Sequence, residues 1–585
     1  MRTEVMDMDW KTEYSRWLKQ AENDPFLMED MKKLDTDIKR EEAFYTELEF
    51  GTAGLRGVIG AGTNRMNRYV VRRASKGVAE MILETCGEEG AKRGVAIAYD
   101  SRNYSDVFAM EAALTLCANG IKCYLYSTLH SVPQLSFTVR HLNCIAGIVV
   151  TASHNPPEYN GYKVYWEDGG QCAPDRAGKI LECIRRFDYF GVEIMPTELA
   201  LSSGMLTMIG KEVDEEYYKC TMSLLIHPDN LKENGRLLNA VYSPLHGSGR
   251  VPVTEILKRI GVTDISVVKE QEEPDGNFPT VKAPNPEDKN AFTLARALAD
   301  KVGANLMFAT DPDSDRLGVA VRKPDGDFKL LTGNQTGALL TYYILSSLKD
   351  QGRLPENGLV VKSFVSTTLA DAISNDFGVT IKDVLTGFRF ISEWIEHSVK
   401  TGEYTFLFGF EESYGYLSGG FSRDKDAVCA SMLVCDAAAW YMRQGKTLYD
   451  VMEEIYRKYG FYMEKVKSYT LSGKEGMEKI ANAMAKLRED PIRSIGGAPV
   501  EYYEDHKKQE KLCIPTGETC PTGLPAANAL RYLLPGGAWA VVRPSGTEPK
   551  LKLYIGSVGA TAEDGEEKLG LMMNELDALI SELLK

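Results

Sequence analysis

Along most of the chain, short apolar runs alternate with segments whose apolar positions recur at helical spacing. Three runs open similar units: GVAIAY at Gly94–Tyr99, LNAVY at Leu238–Tyr242 and GLVVK at Gly358–Lys362. Each is followed by a polar loop (Asp100–Arg102, Ser243–Arg250, Ser363–Thr368) and a helical pattern. A single glycine then appears (Gly120, Gly261, Gly378), and a second apolar run (Ile121–Tyr126, Val262–Val268, Val379–Val384). Apolar runs without alternation predict strands covered on both faces. Their alternation with helical patterns predicts α/β units with mostly parallel strands. The glycine after each helix predicts a left-handed cap, a conformation glycine adopts without steric cost.

Each unit then reaches one more strand with a polar loop at its end. These are Ile145–Val150 into TASHNP, Ala304–Ala309 into TDPDSDR, and Tyr404–Phe408 into GFEESYG. Ligands in open α/β sheets bind off the carboxyl ends of strands, so three sister domains can each offer one loop to a common site. The ends of the chain differ. Residues 1–45 are charged, with Trp10, Tyr14, Trp17 and Leu18 at helical spacing, which predicts an amphipathic helical lead-in. Residues 456–585 hold helical stretches, several Pro and Gly, and a short apolar run into RPSGTEPKLKLYI, which predicts a separate α+β domain. The expected fold is three similar α/β domains with mixed sheets plus a smaller C-terminal α+β domain. The expected boundaries are 1–205, 206–325, 326–455 and 456–585.

Composition narrows the function. The chain has 585 residues, too many for one hydrophobic core. With 44% hydrophobic and 26% charged residues it has the make-up of a globular chain. Lys+Arg 68 against Asp+Glu 83 gives a net charge of -15, which repels phosphate backbones and disfavours nucleic-acid binding. Small anionic substrates need only a local cationic pocket. No apolar run is long enough to span a membrane, and Met1–Lys19 is too polar for a secretory signal. The 11 cysteines are scattered without a Cys-x-x-Cys pair, which suits reduced thiols in the cytoplasm. The sequence leaves the oligomeric state open.

Four loops carry recognisable chemistry. In Thr151–Pro156, Ser153 follows a buried strand on a proline-terminated turn, where it is expected to bury little. His154 is adjacent, and Lys163 follows in NGYK. A serine needs such neighbours to act as a nucleophile or phosphate carrier. In DPDSDR, Asp311, Asp313 and Asp315 alternate in a turn and make an oxygen cage for a hard cation such as Mg²⁺. The twelve-residue calcium-loop pattern fails, because Arg316 and Arg322 occupy its glycine and glutamate positions. In Gly409–Gly415, carboxylates and Ser413 suit sugar hydroxyls, and Arg423 and Lys425 beyond it can hold a phosphate. In RPSGTEP, Arg543 offers a bidentate fork, Ser545 and Thr547 add hydroxyls, and Gly546 lets backbone N–H groups face an anion. A fifth, glycine-rich segment, Gly51–Gly57, carries the single cation Arg56.

Together these loops resemble the α-D-phosphohexomutase family, and within it the long phosphoglucomutases related to phosphopentomutases. The signature loops stand in the family's order from Gly51 to Thr547. The resemblance implies four domains around a central cleft, and a phosphoserine enzyme that uses Mg²⁺, with glucose 1,6-bisphosphate as intermediate and activator. It implies that Ser153 carries the phosphate and completes the metal shell of Asp311, Asp313 and Asp315. Glu411 and Ser413 match the sugar grip, and Thr386, Gly387 and Phe388 the loop that senses the sugar. Arg543, Ser545, Gly546, Thr547 and Lys552 match the distal phosphate loop. Arg56, His154, Lys163, Arg316 and Lys425 match active-site charges, and Thr52 lies in the same glycine-rich segment as Arg56. Lys163 and Lys425 are the favoured proton acceptors.

Two departures bear on sugar preference: Phe410 where shorter members have glycine, and SPLHGSGR at Ser243–Arg250 where they carry a different His-Gly loop. The implied reaction interconverts glucose 1-phosphate and glucose 6-phosphate, with pentose or mannose phosphates as alternative substrates. A metal-dependent phosphatase is a rival within enzymes, and a non-catalytic sugar-phosphate sensor a rival outside them. An intact Ser153 beside three aspartates argues against the sensor, which needs no phosphoryl acceptor.

Overall fold

The computed structural model describes residues 9–51, 54–471, 473–545 and 549–585. Thr52, Gly546 and Thr547 lie outside the described residues. The chain divides into two compact units, Met1–Leu330 with Gly415–Trp440, and Leu331–Tyr414 with Tyr441–Lys585.

The first unit holds two mixed sheets built to one plan. In the first sheet the order is Leu55–Val58, Tyr159–Trp166, Ala146–Val150, Val95–Tyr99, Cys123–Tyr126 and Leu206–Ile209. In the second it is Phe328–Leu330, Leu317–Arg322, Leu306–Thr310, Ala240–Ser243 and Ile265–Val267. In each, the strand that opens the repeat lies between the other two, and all three run parallel. The chain then turns back through the polar loop into an antiparallel partner, Tyr159–Trp166 in one sheet and Leu317–Arg322 in the other. Both chemical loops are thus hairpin connections at the carboxyl end of a fully buried strand. The second unit repeats the parallel core, with Gly358–Ser363 between Thr380–Val384 and Thr405–Glu411.

Three glycines close the equivalent helices as expected. Gly120, Gly261 and Gly378 have φ of 76°, 91° and 70°. A second shared feature was not foreseen. Ser153, Ser314 and Tyr414, one in each polar loop, also adopt left-handed φ, at 51°, 52° and 66°. Such a conformation costs a non-glycine residue about 1–3 kcal/mol and persists only where the surroundings fix it.

The C-terminal part is built on a sheet to an extent its sequence did not suggest. Seven antiparallel strands run in the order Phe461–Thr470, Lys550–Gly559, Trp539–Pro544, Leu530–Leu533, Tyr502–Asp505, Glu510–Cys513 and Thr519–Pro521. Helices Gly473–Glu489 and Ala562–Leu583 supply Met484, Leu487, Met572 and Leu576 to its core. Four of these strands have only three or four residues, too short to show a two-residue alternation.

The lead-in forms three helices, Trp10–Ala21, Pro25–Lys32 and Asp37–Phe44, each started by a side-chain cap from Asp9, Asp24 or Thr36. Trp17 is fully buried, whereas Leu18 stays 38% exposed. The Trp17 ring meets Phe44, Tyr69, Tyr189 and Phe190 edge-on at 5.7, 5.7, 5.4 and 5.2 Å. Trp17→Ala is expected to remove about 3–5 kcal/mol of packing. Hydrogen exchange should then report faster opening of residues 10–44 than of the strands, and unchanged protection there would refute the anchor.

Candidate active site

The two hairpin loops of the first unit meet at the aspartate cage. Asp311, Asp313 and Asp315 are buried, and one carboxylate oxygen from each lies within 4.8 Å of the others. At that separation a pair of like charges repels by about 3.5 kcal/mol at an effective dielectric of about 20. Two lysines offset part of this. Lys163 Nζ donates to Asp313 Oδ2 at 2.9 Å and lies 3.9 Å from Asp315 Oδ2. Lys425 Nζ lies 3.1 Å from Asp315 Oδ2 and 3.0 Å from Asp424 Oδ1. Gly415 makes that reach possible, since a Cβ there would sit 2.1 Å from Lys425 Cδ.

Lys163, Lys425 and the Arg316 guanidinium, 3.8 Å from Asp315 Oδ1, stand against the three carboxylates, but Lys425 is shared with Asp424 and Arg316 with Glu287. Burial, and then the charges of Asp313 and Asp315, push the Asp311 carboxyl well above its usual range. Burial also acts to raise Asp313, but the Lys163 charge and a hydrogen bond from Asp311 outweigh it and hold Asp313 below that range. Asp313 Oδ1 and Asp315 Oδ1 are buried without a hydrogen-bond donor. Two orphaned oxygens in a three-carboxylate cage fit a hard divalent cation.

Ser153 sits at the mouth of this cage. Its Oγ donates to Asp311 Oδ2 at 2.7 Å and lies 3.2 Å from His154 Nδ1. The sequence suggested a serine that buries little, but only 3% of it is exposed. The reason is a network beneath the loop. Ser153 N donates to Thr151 Oγ1 at 2.8 Å, and that hydroxyl contacts Asp100 Oδ2 at 2.6 Å and Asp313 Oδ2 at 3.1 Å. Arg102 donates to the carbonyls of Ser153, Asn155, Pro156 and Tyr159. These donors fix the left-handed turn at Ser153.

Asp100 and Arg102 were read only as loop residues. They follow the carboxyl end of strand Val95–Tyr99, so the strand-end rule applied to the first strand of the repeat would have found them.

The other charges take distinct positions. Arg316 pairs with Glu287 at 2.6 Å. Arg56 is exposed, with an N–H 3.4 Å from Asn155 Oδ1. Burial, with the charges of Arg316 and Arg56, holds His154 well below its ordinary pKa and keeps it neutral. Arg423 corrects the sequence reading. It is fully buried, its guanidinium turned onto the carbonyls of Gly420 and Ser422, while its N–H donates to Ser136 Oγ at 2.8 Å. It staples its own loop.

In the second unit, Glu411 Oε1 accepts from the N–H of Gly387 at 2.7 Å, tying the strand-end carboxylate to the Thr386–Phe388 loop. Phe388 is buried, while Thr386 and Ser413 are half-buried. Gly333 opens the helix beneath, and a Cβ there would meet the Glu412 carbonyl at 2.1 Å. In the C-terminal sheet Arg543 stands directly opposite Lys552. Like charges at such a cross-strand pair repel, so the pair suits an anion between them. Across the turn, Ser545 N donates to the Lys550 carbonyl at 2.7 Å.

Both departures noted in the sequence prove to be packing. Phe410 is fully buried over Gly337, where a Cβ would meet its ring at 2.3 Å. In SPLHGSGR, Ser248 donates through N–H and Oγ to the Pro312 carbonyl, at 2.8 and 2.7 Å. His246 bonds Thr280 and the Glu273 carbonyl. This segment buttresses the aspartate loop.

Comparison with known proteins agrees with this geometry. Family models for phosphoglucomutase/phosphomannomutase match in sequence order: alpha/beta/alpha domains I, II and III over residues 47–189, 215–326 and 332–459, and the C-terminal domain over 479–568. The chain belongs to the phosphoglucomutase/phosphomannomutase family. The phosphoglucomutase of Staphylococcus saprophyticus is 37% identical over 530 residues, 90% of this chain and 94% of its own. That of Staphylococcus aureus (strain MRSA252) is 35% identical over 95% of this chain and 98% of its own. A putative phosphomannomutase from Thermus thermophilus shares the fold, with a TM-score of 0.66 at 22% identity over 92% of this chain and 99% of its own. Among the described residues no helix is long and apolar enough to cross a membrane, and the eleven cysteines are unpaired.

Gly415→Ala should displace Lys425 from Asp315 and leave the fold intact. Loss of one charged contact of about 1.5–3 kcal/mol predicts a fall in mutase kcat of roughly tenfold to a hundredfold. Wild-type kcat in a normally folded variant would show that Lys425 does not depend on this glycine.

Proposed function

We propose that the chain interconverts α-D-glucose 1-phosphate and D-glucose 6-phosphate through a phosphorylated Ser153 and a glucose 1,6-bisphosphate intermediate. The observation that carries this reading is the Ser153 Oγ, 2.7 Å from Asp311 at the edge of a carboxylate cage with two orphaned oxygens. The names of the staphylococcal relatives support the choice of sugar. The unpaired thiols suit the cytoplasm.

Asp311, Asp313 and Asp315, with the Ser153 oxygen, would hold Mg²⁺, which when bound neutralises charge on the transferring phosphoryl group. Arg102 and Thr151 fix the serine, so little reorganisation is needed at transfer. The phosphoryl group passes from Ser153 to the free hydroxyl of the bound sugar phosphate, whose proton must leave. Lys163 and Lys425 are each paired with cage carboxylates. His154, whose Nδ1 lies 3.2 Å from the serine oxygen, is the candidate proton acceptor. The sugar is gripped by Glu411 and Ser413, with Thr386, Gly387 and Phe388 beside them. The phosphate that does not react sits between Arg543 and Lys552. After transfer the bisphosphate reorients, and its other phosphate returns to Ser153. The clamp therefore recognises a dianion and not a position on the sugar.

A coupled assay for glucose 6-phosphate formation, run beside an inorganic-phosphate assay, tests this reading. Isomerisation without phosphate release is expected, and Ser153→Ala should lose nearly all turnover while its far-UV circular dichroism stays unchanged. Phosphate release as the main product would make the chain a phosphatase, and wild-type turnover by Ser153→Ala would refute the carrier. Relative kcat/KM on glucose, mannose and ribose phosphates ranks the sugars, with glucose expected first.

A further inference from the structure

The second unit contains a cavity of about 730 Å³ between the edge strand Thr380–Val384 and the C-terminal sheet. None of the sugar-loop or phosphate-clamp residues named above lines it. Its lining carries three acids and three bases, and the pairs among them leave one buried donor, Arg531 Nε, unmet. Asp383 is engaged twice, by Lys362 Nζ at 2.5 Å and by Arg531 at 3.0 Å. Glu504 faces His506, Lys511 and Arg531 at 3.3, 3.4 and 3.9 Å. Glu393, the other acidic lining residue, is exposed.

Arg531 is only 8% exposed, yet its Nε–H has no acceptor. Leaving a charged donor buried and unmet is costly, so the site expects an acceptor there. Lys511 keeps donors beyond its one long contact with Glu504. Among the described residues Lys382 has no carboxylate within 4 Å, and its ammonium lies over the rings of Trp394 and Tyr404 at 5.2 and 5.7 Å. The remaining wall includes Trp394, Phe390, Leu524 and Leu533. A volume in the range of small-molecule sites, lined by Lys382, Lys511 and Arg531 and by aromatic and aliphatic side chains, fits a ligand with an anionic and an apolar part.

We infer that this cavity is a second ligand site, for a small organic anion that joins a phosphate or carboxylate to a planar apolar group. Its anion meets Lys382, Lys511 and Arg531, and its planar part lies against Trp394 and Phe390. The site flanks the sugar loop in sequence, since Leu385 and Phe390 of its wall bracket Thr386–Phe388. It also joins that segment to the sheet carrying Arg543, so an occupant reaches both substrate-holding elements of this unit.

Titration of the full-length protein with 1-naphthyl phosphate tests the inference by binding alone. One saturable site per chain is expected, read by equilibrium dialysis and by quenching of tryptophan fluorescence that is absent in Trp394→Phe. Lys382→Glu and Lys511→Glu, both at half-buried positions, should each weaken binding at least tenfold. Arg543→Ala and saturating glucose 6-phosphate should leave it unchanged. The inference is overturned by absence of saturable binding, by displacement with glucose 6-phosphate, or by charge reversals without effect. Inorganic phosphate binding as tightly as the naphthyl ester would equally overturn it.

Discussion

Three buried carboxylates within 4.8 Å of one another are the constraint around which the first unit is arranged. Buried like charges are tolerated only when partners offset them. The chain supplies those partners from separate places: Lys163 from the strand after the serine loop, Lys425 from the segment beyond Gly415, and two backbone N–H groups, of Asp315 and Arg316, onto Asp311 Oδ1. Arg316, 3.8 Å from Asp315 Oδ1, adds a third cation, but it is shared with Glu287 as Lys425 is with Asp424. A structural ion cluster would be expected to close its own charge balance, whereas this one keeps two oxygens without donors. Those two oxygens suit a divalent cation.

The same constraint explains the serine. Thr151 bridges Asp100, Asp313 and the Ser153 backbone, so the serine loop and the aspartate loop share one hydrogen-bond network. The left-handed turns at Ser153 and Ser314 are the local cost of aiming two hairpins at one point, and Arg102 and Ser248 hold the strained backbone by its carbonyls. The second unit repeats this device at Tyr414 and uses the same strand end to present Glu411 to the Thr386–Phe388 loop.

Much of this was legible in the sequence because the repeat is written in pattern. The buried strands, the closing glycines and the acidic triplet follow from residue type and spacing alone. What escaped depended on distant partners. Arg423 looks like a phosphate ligand by composition, but Ser136 and the carbonyls of its own loop enclose it. Arg102 looks like an ordinary loop residue until the carbonyls of a segment some fifty positions away are placed around it. Phe410 reads as a change in the sugar loop, yet Gly337 receives its ring in the core. The extent of the C-terminal sheet did not show, because strands of three or four residues carry too little periodicity.

The central claim is that the cage exists to move a phosphoryl group on and off Ser153. Incubating the protein with glucose 1,6-bisphosphate labelled in its phosphates, with Mg²⁺ present, and mapping the label by peptide mass spectrometry tests this directly. The account predicts close to one label per chain, on Ser153, discharged by added glucose 1-phosphate or glucose 6-phosphate into bisphosphate. Label on another residue, or label lost to water as inorganic phosphate without charging the sugar, would contradict it.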